Sequence, residues 1–88
     1  MYDLELRKTV EKIFQKLARK NPKQLEIINK KVLEIRENPQ HYKNLHPPLQ
    51  NLKRVHIDKS FVLTFSVDDG RKVVMLEDYD HHDNIYGR

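Results

Sequence analysis

LKRVHIDKSFVLTFSVDDGRKVVMLEDY, residues 52 to 79, decides the fold. It reads as three strands and two turns. Leu52 to Ile57 sets Val55 and Ile57 on one face and Arg54 and His56 on the other, the period of two that a strand imposes. Phe61 to Val67 sets Phe61, Leu63 and Phe65 against Val62, Thr64 and Ser66, and is apolar enough to lie inside a sheet. Lys72 to Tyr79 is the last strand. Asp58-Lys59-Ser60 and Asp68-Asp69-Gly70-Arg71 are turn formers at hairpin spacing.

Upstream the period changes. Tyr2, Leu4 and Leu6 alternate with Asp3 and Glu5 as a short strand. From Lys8 to Lys20, Val10, Ile13, Phe14, Leu17 and Ala18 fall on one face of a helix. Asn21 suits an N-cap and Pro22 the first position of a second helix, with Gln24 at capping-box spacing. Leu25, Ile28, Val32 and Ile35 carry that helix's stripe, Ile27 and Leu33 widen it, and Asn38-Pro39 ends it. Gln40 to Asn51 is a polar connector stiffened by Pro47-Pro48. The expected fold is α+β. Residues 1–88 form a single small domain, with a short N-terminal strand and an antiparallel two-helix hairpin packed on one face of an antiparallel sheet of about four strands. The other face, partly open, carries Arg54, His56, Thr64 and the C-terminal histidines.

Composition narrows the function. The 88 residues hold no cysteine, so neither a disulfide framework nor a thiolate metal site is expected. No apolar run exceeds five residues, far short of the ~20 a membrane helix needs, and MYDLELRKTV has no signal-peptide pattern. The expected location is the cytoplasm. Net charge is +4, but residues 1–44 balance at +5 (eleven Lys and Arg, six Asp and Glu) and residues 45–88 at −1 (six and seven). A basic first half fits an anionic partner, nucleic acid or acidic protein, and fits a solvated surface too.

The ending, EDYDHHDNIYGR from Glu77, places His81, His82 and Tyr86 beside Asp78, Asp80 and Asp83. Histidine moves protons near neutral pH. Metal-free RNA cleavage needs such groups: a base for the 2′-hydroxyl, an acid for the leaving 5′-oxygen, and cations for the phosphoryl charge. His56, Arg54, His46, His82 and Tyr86 are candidates, provided the tail closes on the strand bearing His56. Taken alone, the tail reads as a solvated polar end, and Arg54 reads as a cross-strand partner of Asp78 or Glu77. A metal site fits poorly, since His81 and His82 point to opposite faces if the strand continues and no H-x₃₋₅-H helix exists. With two glycines there is no Gly-rich phosphate loop, and Ser60 and Ser66 lack a nucleophile-elbow setting.

The element order, LKRVHIDKSFVLTFSV and DHHDNIY together resemble the RelE/ParE superfamily of toxins from toxin–antitoxin systems, most of all its YafQ-type messenger-RNA endonucleases. The resemblance implies a site made of a loop His, a strand His and a C-terminal His followed four residues later by an aromatic. These fall on His46, His56, and His82 with Tyr86. It implies phosphate and substrate contacts from Lys53, Arg54, Lys59 and Phe61. The branch's turn carries an acid before its aromatic; here Ser60 replaces the acid, and Asp58 is the nearest substitute. The resemblance also implies cleavage of mRNA on the ribosome, no cofactor, and an antitoxin that covers the site. Two other readings stay open: a ParE-like toxin that binds a protein such as DNA gyrase, and a degenerate member that only binds its antitoxin.

Overall fold

The computed structural model describes residues 1–45, 47 and 51–86, with Tyr86 described by its backbone alone. Its elements are β1 (Asp3–Leu6), α1 (Lys8–Lys20), α2 (Pro22–Glu37), β2 (Lys53–Ile57), β3 (Phe61–Asp68), β4 (Val73–His81) and a short helix the sequence pattern does not announce, α3 (His82–Tyr86).

Asn21 ends one helix and starts the next. Its backbone N–H closes α1 on the Leu17 carbonyl, and its side-chain oxygen accepts from the Gln24 N–H at 3.2 Å. That satisfies one of the amides every helix start leaves without a partner, and Pro22 supplies none to satisfy. The helices lie on one face of the sheet. Val10, Ile28, Val32 and Ile35 form the core with Ile57, Leu63, Phe65, Val74, Leu76 and Tyr79. Ile27 and Leu33 do not widen the buried stripe; they are 43% and 47% exposed. Each sits one residue, about 100° of helix rotation, off the 28–32–35 line. Ala18 is likewise exposed.

The sheet order is β1-β4-β3-β2. The two hairpins pair antiparallel, but β1 runs parallel to β4, with Asp3 beside Val73 and Leu6 beside Leu76. The sheet is therefore mixed. The chain leaves β1 through the helices, so no hairpin turn forces that edge to be antiparallel.

One irregularity shapes the rest. Phe65 pairs with Leu76 and Thr64 with Asp78, so Glu77 is an extra residue in β4. A bulge of this kind shifts the side-chain phase by one. Before it Val74 and Leu76 face the helices; after it Tyr79 does, and Asp78 and Asp80 turn to the face of Arg54 and His56. That face is not open along its length. Val62 is fully buried and Thr64 is 2% exposed, because α3 packs back onto β3 and β4 with Ile85 only 3% exposed.

Candidate active site

His56 projects from β2 opposite Val62, on the face away from the helices, and is exposed. His81 ends β4 across β3 from Ile57. There the chain turns: the His82 N–H donates to the Ser60 carbonyl at 2.7 Å, tying the first residue of α3 to the β2–β3 turn. The turn itself holds Asp58 at φ 56°, a backbone state Asp tolerates better than most residues. The result brings the His82 ring over His56, with centroids 5.8 Å apart and planes 27° from parallel. Two residues 26 positions apart in the chain thus become neighbours because the strand ends and a short helix folds back.

The neighbouring polar groups hold that helix. The Asp80 carboxylate accepts from the His81 N–H at 2.7 Å and from Asn84 Nδ2 at 3.0 Å. His81 Nδ1 accepts from the Asp83 N–H at 3.2 Å, the bond an N-cap side chain makes. His81 also meets the Phe61 ring edge-on at 5.7 Å. So the adjacent histidines have different jobs: His81 caps α3, and His82 sits against His56, its Nδ1 3.4 Å from Asp83 Oδ1. Among the described residues no three His, Asp or Glu side chains converge as metal ligands would.

The other candidates divide. Arg54 shares a shallow groove of about 270 Å³ with His56, and among the described residues His41, Tyr42, Lys43 and Val55 line it too. Lys53 points elsewhere and donates to the Tyr42 carbonyl at 2.8 Å. Lys59 is exposed in the turn. Phe61 stacks on Tyr79 at 5.5 Å on the helix side of the sheet. Tyr86 closes α3, which brings its backbone to the same end of the sheet, and His46 lies outside the described residues.

Sequence reasoning passes over two features. The connector reads as polar throughout, yet Tyr42 packs its ring edge-on against Phe65 at 5.6 Å and against His41 at 5.2 Å. Burial pushes the Tyr42 hydroxyl above its usual range, Glu34 adds to this, and Lys31 opposes it. The second feature is the brace of the bulge. Glu77, which reads as a partner for Arg54, instead accepts from Arg7 Nε at 2.9 Å and from Ser66 Oγ at 2.6 Å. Partial burial pushes its carboxyl up, but the bonds from Arg7 and Ser66 outweigh this and leave it below the usual carboxylate range. Arg7 is correspondingly raised by the Glu77 bond and charge.

No family model matches the chain. A protein of Methanocaldococcus jannaschii named as a toxin, RelE4, is 56% identical over 86 residues, covering 98% of this chain and 92% of that one. Two solved structures resemble the fold at low identity. One is YafQ of E. coli, at TM-score 0.73 and 19% identity, covering 99% of this chain and 100% of the other. The second is the RelBE2 toxin–antitoxin complex of Mycobacterium tuberculosis, at TM-score 0.76 and 19% identity, covering 92% and 98%. With the element order, the mixed four-stranded sheet and an archaeal relative matched nearly end to end, the chain belongs to the RelE/ParE superfamily of toxins from toxin–antitoxin systems.

Proposed function

We propose that the protein is a metal-independent mRNA endoribonuclease that acts in the cytoplasm on mRNA at the ribosome. The stacking of His56 against His82 carries this reading. One imidazole takes the proton of a ribose 2′-hydroxyl as its oxygen attacks the adjacent phosphorus. The other gives a proton to the 5′-oxygen as the P–O5′ bond breaks. The products are a 2′,3′-cyclic phosphate and a 5′-hydroxyl, with no net proton lost. Arg54, beside His56 in the groove, offsets charge on the phosphoryl oxygens. Tyr86, on α3 with His82, stacks on or orients a base.

The charge of α1 supports contact with RNA on a second face. Lys8, Lys12, Lys16, Arg19, Lys20 and Lys23 are exposed along α1 and the start of α2, and none has an ion-pair partner among the described residues. Like charges at i,i+4 cost about 0.2–0.5 kcal/mol each. Next door, α2 offsets its lysines with Glu26–Lys30 and Lys31–Glu34 pairs. A stripe left uncompensated on one helix fits the phosphates of ribosomal RNA. By analogy with the toxin–antitoxin complexes that share its fold, the protein's resting partner is an antitoxin that covers the site.

The test is induced expression in growing cells without an antitoxin, with transcript ends mapped. Arrest with new cleavage sites that vanish in His82→Ala is expected. Arrest with intact transcripts would overturn the nuclease reading in favour of a protein target.

A further inference from the structure

The groove beside His56 is larger than proton transfer requires. Its walls are the 41–43 segment on one side and Arg54 to His56 on the other. The two walls are held at a fixed spacing. The Leu45 N–H donates to the Leu52 carbonyl at 2.8 Å, Asn44 bridges Lys53, and Lys53 Nζ holds the Tyr42 carbonyl. Tyr42 anchors from below on Phe65, which fixes the His41 ring at the rim. Among the described residues the lining contains two cations and two imidazoles and no carboxylate. At about 270 Å³ it lies just under the ~300 Å³ at which pockets for small organic ligands begin.

We propose that this groove is the subsite for the nucleotide next to the cleaved phosphate, with the His41 ring stacking on its base and Lys43 pairing with its phosphate. The proposal rests on the nuclease reading above. His56 stands at the junction, lining the groove on one side and meeting His82 on the other. A nucleotide seated in the groove therefore brings its neighbouring phosphodiester to the imidazole pair. A base has a π face on any sequence, so a ring at the rim gives grip without demanding a particular base. The β2 edge also suits an added peptide strand, but the 44–45 segment already occupies it at Lys53, which leaves only Arg54 to Ile57. Four residues of edge, and a described lining in which Lys43 and Arg54 stand beside two imidazoles, favour a nucleotide over a strand.

The test is an amide NMR titration of the full chain with mixed-sequence tetraribonucleotides blocked by one 2′-deoxy substitution, repeated with blocked dinucleotides. Signals of His41, Lys43 and Val55 should shift with the tetranucleotide together with His56. His41→Ala and Lys43→Ala should each weaken tetranucleotide binding about tenfold, about 1.4 kcal/mol. Dinucleotide binding should change less than twofold, and His41→Phe should restore most of the loss. Shifts at His56 and His82 that spare His41 and Lys43, or variants that bind both lengths as wild type does, overturn the subsite and leave the nuclease reading standing. Shifts in the groove with an antitoxin-derived peptide but not with RNA overturn it in favour of a strand. No shift anywhere with RNA counts against both readings.

Discussion

Replacing Ser66 with alanine should weaken the fold by an amount that depends on the charge of Glu77. The Ser66 hydroxyl donates to a Glu77 carboxylate oxygen at 2.6 Å, and the Glu77 side chain is only 19% exposed. Hydrogen bonds to charged groups contribute about 1.5–3 kcal/mol. Arg7 remains as a second donor, so the low end applies, and the expected loss is about 1.5 kcal/mol at pH 7. The sign with pH follows from Glu77 being depressed below its ordinary 4.5. A depressed carboxyl stabilises the fold at pH values above 4.5, and the contribution disappears as pH falls through the folded value. The Ser66→Ala penalty should therefore be near its full size at pH 7 and shrink as pH falls through the depressed folded value. Urea unfolding at several pH values measures it, and Glu77→Gln in the same background should remove most of the difference. A Ser66→Ala penalty that stays constant from pH 7 down to the onset of acid unfolding, or that survives Glu77→Gln undiminished, would refute the brace. Because the brace sits on the bulge that turns Asp78 and Asp80 toward His56, the amide signals of those residues should shift in the variant.

Two further outcomes are expected. The Tyr79 hydroxyl is buried without a hydrogen-bond partner among the described residues, while its ring packs on Phe14 and Phe61. Tyr79→Phe keeps the ring and removes the orphan oxygen, so urea unfolding should show a gain of about 1 kcal/mol; a loss of that size would mean that the hydroxyl is satisfied. Burial, aided by Asp58, pushes this hydroxyl from 10.0 to about 12. A raised value in a group that is neutral when protonated stabilises fully below pH 10 and fades as pH climbs toward 12, so Tyr79→Phe should also flatten alkaline unfolding over that window. For the helix stripe, Lys12→Glu with Lys16→Glu should reduce the steepness with which ribosome binding falls as salt rises. The log–log slope should drop by roughly 0.7–0.9 for each phosphate that the helix ceases to neutralise. An unchanged slope would remove α1 from the RNA-binding face.

The fold is legible wherever a period runs long enough. Helix α1 begins and ends where its apolar spacing does, and Asn21-Pro22 and Asn38-Pro39 mark the junctions as written. Ile27 and Leu33 mislead because apolar identity does not tell which side of a helix meets the sheet. The parallel seat of β1 is not legible, since strand order depends on packing across the whole sheet. The bulge does leave a trace. Leu76 and Tyr79 are three apart where alternation demands two or four, and an extra residue at Glu77 reconciles them. The approach of His82 to His56 is the condition that the sequence reading sets for a histidine pair, and the structure meets it through the Ser60 carbonyl. Helix α3 hides in HDNIY, because five residues are too few to show a helical period. His41 and Tyr42 are hidden for another reason: an anchor in a loop has no repeat at all, and only its packing on Phe65 reveals it.

The most direct measurement uses purified protein, ribosomes from its source organism and a defined mRNA, and compares wild type with His56→Ala and His82→Ala after confirming that each variant folds. Wild type should cut the bound mRNA and leave a 2′,3′-cyclic phosphate and a 5′-hydroxyl, with chelator present or absent. Each alanine variant should lose at least about a hundredfold in single-turnover rate. Cleavage at wild-type rate by both variants, or cut ends bearing a 5′-phosphate, would contradict the imidazole pair as the catalytic centre.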